Sequence, residues 1–212
     1  TFAGKLAAGL ARSGKRTLMD WYPAPGKLNL FLHVLGRRED GFHLLQTVFR
    51  LIERADRVGL ALRNDGEIRR VDVTTGVSPE SDLCLRAARS LQEAGGCPRG
   101  ADIRLDKRIP VQGGLGGGSS DAATTLVALN EIWGLRLPVD ALAEIGLGLG
   151  ADVPLFVRGQ SAWGEGGGER LTPLELPGRH FAIVFPGIGI RTAEVFQAPE
   201  LTRKTPETTI RG

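Results

Sequence analysis

Cysteine and histidine are scarce in this chain. Its 212 residues hold two cysteines, Cys84 and Cys97, and three histidines, His33, His43 and His180. Two cysteines make no disulfide framework, and none of the five residues stands at a metal-ligand spacing. Neither a disulfide scaffold nor a zinc site is therefore expected. Such cysteine usage suits a reducing, cytoplasmic setting. Long apolar runs are missing too. The best, residues 145–157, is broken by Asp152 and falls short of the ~18 residues that a membrane helix needs, so no membrane partner is expected. Acid is missing from the first 18 residues, where Lys5, Arg12, Lys15 and Arg16 supply four positive charges. The formal net charge is +3, so the remaining body stands at −1, and a nucleic-acid partner has no support in that balance. What the chain has in excess is glycine: 30 residues, about twice the usual share and without a collagen-like period. Hydrophobic content of 42% and charged content of 24% are those of a globular protein.

The length suits one large domain or two small ones. From Lys27 the sequence alternates: Leu28, Leu30 and Leu32 share one face, and Lys27, Asn29, Phe31 and His33 the other, which predicts a strand with one polar-decorated face. A second strand is expected over 42–52. Two more, 58–62 and 67–73, flank Asn64-Asp65-Gly66, a hairpin signal. Ser81 is expected to open a helix that buries Leu83, Ala87, Ala88, Leu91 and Ala94 and ends at Gly95-Gly96. Ala101, Ile103 and Leu105 alternate as another strand. After the glycine loop described below, a helix buries Ala122, Leu126, Leu129 and Trp133, and a further helix follows Pro138. Glycines 164–168 join two short strands, Phe181, Ile183 and Phe185 predict a last strand, and Thr192 opens a short helix through Phe196. Antiparallel strands interspersed with helices define an α+β class.

Between Gln112 and Ser119, five of six residues are glycine, and a helix follows at once with Ser119, Ser120 or Asp121 as its expected cap. Glycine lets consecutive amides turn inward with no Cβ in the way. A helix N-terminus adds free N–H groups and the positive end of a dipole, and together they suit a phosphate chain. The loop is not a Walker A loop, which needs a lysine before the serine. Residues 114–119 come close to a dinucleotide fingerprint but lack the acid that should follow at the end of a second strand.

Four segments in order, PAPGKLNLFL (23–32), DGFH (40–43), IPVQGGLGGGSSDAA (109–123) and LGADVPLFVRG (149–159), resemble the GHMP small-molecule kinases. The likeness runs from about Trp21 to about Phe196. It is strongest to members acting on the 2-hydroxyl of a cytidine-diphosphate-linked methylerythritol in non-mevalonate isoprenoid synthesis. The resemblance implies a two-domain α+β fold of mixed and antiparallel sheets. Residues 1–18 would be a leader or translated upstream sequence, 19–171 the N-terminal nucleotide-binding domain, and 172–212 the incomplete start of a C-terminal domain. It implies ATP and Mg2+ as cofactors and a cytidine diphosphate derivative as the small-molecule substrate, with a monomer or homodimer left open. Lys107, Pro110, Val111, Gln112, Gly113, Gly114, Leu115, Gly116, Gly117, Gly118, Ser119 and Ser120 would hold the nucleotide, with one of the serines near magnesium; no residue is assigned as a metal ligand. Asp152 would be the catalytic aspartate and Lys27 its partner. Asn29 and His43 would place the substrate, Phe42 and Phe196 would sandwich the cytosine ring, and Thr192 would contact the acceptor.

The chemistry is consistent with that assignment. Phosphoryl transfer depends on positioning and charge neutralisation more than on covalent steps. A lysine offsets charge on the transferring group, and an aspartate orients a hydroxyl and accepts its proton late. Taken singly, Asp152 reads as a turn cap and Lys27 as an edge-strand lysine. The alternatives are another alcohol kinase of the same family, a non-catalytic binding fragment, and a nucleotide-dependent oxidoreductase.

Overall fold

The computed structural model describes residues 19–37, 41, 43–72, 80–189 and 192–209. Its architecture hangs on two long strands. β1 (Asp20–Arg37) and β2 (His43–Arg63) pair antiparallel from Asp20↔Leu60 to Arg37↔His43, with three register shifts that bend the ribbon. β2 is one strand where the sequence suggested two. Its first half pairs with β5 (Ala162–Gly166) and its second half with β4 (Gly100–Asp106). β3 (Ile68–Arg70) lies beyond β4 and β6 (Arg170–Pro173) beyond β5, which completes a six-stranded sheet.

The alternation in β1 is as predicted, and its polar face is the one turned inward at the site. Lys27 is 7% exposed, while Leu30 and Leu32 are 43% and 42% exposed. The Asn64-Asp65-Gly66 turn is present but joins no hairpin. β4 occupies the slot beside β2, and β3 pairs parallel to β4. Phe181, Ile183 and Phe185 form no strand; among the described residues no strand pairs with this segment. An isolated extended segment has no ladder to stabilise it.

One layer of helices covers the sheet. α1 (Leu83–Ala94) is capped by Asp82, one residue after the expected Ser81; its carboxylate accepts the N–H groups of Cys84 and Leu85. α2 (Gly117–Ile132) is buried almost all round, because it lies among the sheet, α1 and α4 (Val153–Arg158). α3 (Val139–Leu147) follows Pro138 as expected. The core joins Val58, Leu60, Ala101 and Ile103 of the sheet to Leu91, Leu126, Leu129, Val153 and Phe156 of the helices. α5 (Thr192–Gln197) stands near the end of the β1–β2 ribbon where Arg37 pairs with His43, and there Phe196 meets His43. No helix among the described residues is long and apolar enough to cross a membrane.

Candidate active site

The glycine loop leaves β4 and reverses by positive φ angles at Gln112 (58°), Gly114 (72°) and Gly116 (70°). α2 then begins at Gly117, before any of the three residues expected to cap it. Its cap is Gly116, which offers no side-chain acceptor, so the first-turn N–H groups are left for something else. The close approach explains the glycine. A methyl group at Gly116 would lie 2.9 Å from Phe156 Cζ and 3.2 Å from Lys27 Cγ.

The loop is stitched to β1 through the same lysine, whose backbone N–H donates to Leu115 O at 2.9 Å. The Lys27 ammonium donates to Asn29 Oδ1 at 2.7 Å and stands 3.5 Å from Asp152 Oδ2. Below it, Phe49 offers a ring face 5.8 Å away. Asn29 is fixed in turn by Thr47, whose hydroxyl accepts from Asn29 Nδ2 at 2.8 Å and donates to Phe31 O. Asp152 stands at the cap position of α4, yet its side chain makes no capping hydrogen bond. Its carboxylate faces Lys27 and stays 31% exposed, within reach of a solute. Neither local reading of the two residues holds: Lys27 is buried, and Asp152 does not cap.

The two serines part company. Ser119 is half-buried, and its Oγ would lie 3.8 Å from a methyl group at Gly150, two residues before Asp152. Ser120 is fully buried, and its hydroxyl has no hydrogen-bond partner. The Lys107 ammonium is held by two buried carboxylates, Asp56 and Asp121. Burial pulls the Lys107 pKa down, but Asp121 and Asp56 outweigh it and the pKa is raised. Burial pushes the Asp121 carboxyl up to about 7, against the pull of Lys107. Val111 is 70% exposed on the outer rim of the loop, beside Pro110 and Gln112.

His43 and Phe196 meet at the far end of the β1–β2 ribbon. Their rings are stacked, with centroids 5.0 Å apart and planes 20° from parallel. Burial, and then the charges of Arg203 and Arg37, hold the His43 pKa below its ordinary value. Phe42 lies outside the described residues. Thr192 is the first residue of α5, and its side chain lies outside them too. Lys27, Asn29, Asp152 and the loop thus come together, while His43 and Phe196 form a second group. Sequence reasoning missed Thr47, Phe49 and Asp56. A threonine or phenylalanine in an apolar strand carries no signal beyond β-propensity, and Asp56 sits in a charged stretch that reads as solvated.

The GHMP kinases N terminal domain matches residues 82–160. The 4-diphosphocytidyl-2-C-methyl-D-erythritol kinase of Xanthomonas campestris pv. campestris is 60% identical over 183 residues, 86% of this chain and 62% of that protein. The protein of the same name from Alkalilimnicola ehrlichii is 56% identical over 195 residues, 91% of this chain and 67% of that protein. A crystal structure of 4-(cytidine 5'-diphospho)-2C-methyl-D-erythritol kinase superposes with a TM-score of 0.70 at 40% identity, covering 85% of this chain and 65% of that one. The chain spans about 62% of the length of the Xanthomonas relative. With a relative 56% identical over two thirds of its length and the family's N-terminal domain matched over the glycine loop, the chain belongs to the GHMP kinase family.

Proposed function

We propose that this protein transfers the γ-phosphate of ATP to an alcohol, the 2-hydroxyl of 4-diphosphocytidyl-2-C-methyl-D-erythritol, in the cytoplasmic synthesis of isoprenoid precursors by the non-mevalonate route. The observation that carries the reading is the Lys27–Asp152 pair, 3.5 Å apart, on a lysine whose own amide is bonded to the glycine loop. Residues 110–119 hold the polyphosphate through backbone N–H groups and the open first turn of α2. The loop suits such a group, because Gly114 borders open space and the first turn of α2 has no side-chain cap. Magnesium would sit by the Ser119 hydroxyl and neutralise phosphate charge.

Lys27 places a positive charge beside the transferring group, and Asn29 and Thr47 keep its ammonium in register. Asp152 orients the acceptor hydroxyl and takes its proton as the new P–O bond completes. At the far end of the ribbon, His43 and Phe196 stack on each other, and this ring pair would meet the cytosine, with Phe42 next to His43 in sequence and Thr192 one helical turn before Phe196. An acceptor with a base at one end and a polyol at the other suits two groups of residues set apart along one ribbon.

Thermal shift and ADP release test this reading. ATP with magnesium and cytidine diphosphate should each raise the melting temperature, and NAD should not. Asp152→Ala should cut acceptor-dependent ADP release by about 10²–10⁴-fold while leaving ATP binding in place. Stabilisation by NAD alone, or unimpaired turnover in that variant, defeats the assignment.

A further inference from the structure

Beneath the glycine loop lies a buried ionic group that the transfer chemistry does not use. Asp56, in the middle of β2, is fully buried. Its Oδ1 accepts the N–H groups of Arg108 and Ile109, where the chain leaves β4 and enters the loop. Its Oδ2 accepts from the Lys107 ammonium, which also donates to Asp121 Oδ2 at 2.6 Å. Asp121 is 2% exposed and belongs to the second turn of α2, just past the exit of the loop. A methyl group at Gly117, the first residue of α2, would lie 3.2 Å from Asp56 Oδ2. The start of the helix therefore rests on the same carboxylate that gathers the entry of the loop.

We propose that Asp56, Lys107 and Asp121 form a buried staple that ties the entry of the glycine loop to its exit and so sets the loop amides for an incoming polyphosphate. This rests on the nucleotide reading above. The arrangement answers a physical difficulty. A loop with five glycines among six residues has many conformations to lose when it closes on a ligand, and that loss weakens binding. A clamp at both ends removes much of the freedom beforehand. A lone buried carboxylate is costly, so Asp56 depends on the Lys107 ammonium, and Asp121 gives that ammonium its second anchor. These three are positioning residues: they act through the backbone that they hold.

Asp121→Ala removes the exit anchor and leaves Lys107 to neutralise Asp56. Folding is retained, because a desolvated carboxylate goes with it. Asp121→Asn keeps an oxygen that accepts from Lys107. The probes are amide hydrogen exchange of the ligand-free full chain and its affinity for ATP with magnesium. In Asp121→Ala the hydrogen-bonded amides of Lys27, Gly113 and Ser120 should exchange about tenfold faster, with α1 and β4 unaltered. Nucleotide affinity should fall about tenfold or more. Asp121→Asn should restore both. Unchanged exchange at those amides in Asp121→Ala, or no recovery in Asp121→Asn, overturns the staple. Failure of the wild-type chain to bind ATP would instead sink the nucleotide reading, and the exchange comparison would still decide the staple.

Discussion

Gly114 and Gly116 have nearly the same φ, 72° and 70°, and opposite surroundings. Within 4 Å of a methyl group at Gly114 there is nothing, whereas one at Gly116 meets Phe156 and Lys27. An alanine at Gly114 therefore bears only the left-handed backbone, about 1–2 kcal/mol. At Gly116 it adds overpacking of about 1–3 kcal/mol and displaces the lysine stem. Urea denaturation of Gly114→Ala and Gly116→Ala should show the second to be clearly the less stable, and equal midpoints would mean that the loop relaxes away from Phe156. The motif made Lys27 and Asp152 readable in the sequence, since four segments in order specified them. It did not make the rest of the site readable. Thr47 holds Asn29 through its hydroxyl across the register shift between Asn29 and Leu32, since the ladder pairs Asn29 with Phe49 and Thr47 with Leu32.

The elements follow the same division. Elements with clear periodicity, α1, α3 and β4, lie where expected, whereas β1 begins seven residues before Lys27 and residues 164–166, expected in the connection between two short strands, belong to β5. The departures are those where a partner decides. The turn at 64–66 does reverse the chain, but β4 arrives later in sequence and takes the place beside β2. That insertion rests on Gly100, where a Cβ would lie 2.0 Å from the backbone oxygen of Glu67. Gly100→Ala should therefore push β3 off β4. The amides of Ala101 and Val71, bonded to Glu67 O and Ile103 O, should lose exchange protection, with a loss of roughly 1–3 kcal/mol in stability. Retained protection at Val71 would mean that the edge strand holds without the close approach. Likewise α2 begins early because Gly117 and Gly118 are packed against Asp56, Ile109 and Leu83. Local propensity disfavours a helix start built of glycine, and tertiary packing outweighs it.

For the molecule as a whole, the buried ions give stability a definite dependence on pH. Burial raises the Asp121 carboxyl to about 7, well above its value in an unfolded chain. Between about pH 4 and pH 7 the folded protein thus binds a proton there that the unfolded chain does not, and stability falls as pH rises. A displacement of this size is worth on the order of a few kcal/mol across the interval. Other groups act the opposite way. Hydrogen bonds from Arg63 and the Glu67 amide lower the Asp65 pKa to about 2, and Asp106 is lowered by Arg108, so their contributions are lost as pH falls below about 4. His43, lowered by burial and by Arg203 and Arg37, contributes stability that is lost as pH falls through the mildly acidic range. The raw profile of the wild type is a sum of these, but a difference between two proteins is not. Asp65, Asp106 and His43 are common to the wild type and Asp121→Asn, so they cancel. Urea midpoints measured from pH 5 to pH 8 should show Asp121→Asn gaining on the wild type as pH rises, with the gain levelling off above pH 7. A constant difference over that range would mean that Lys107 keeps Asp121 ionised throughout, with attraction outweighing desolvation beneath the loop.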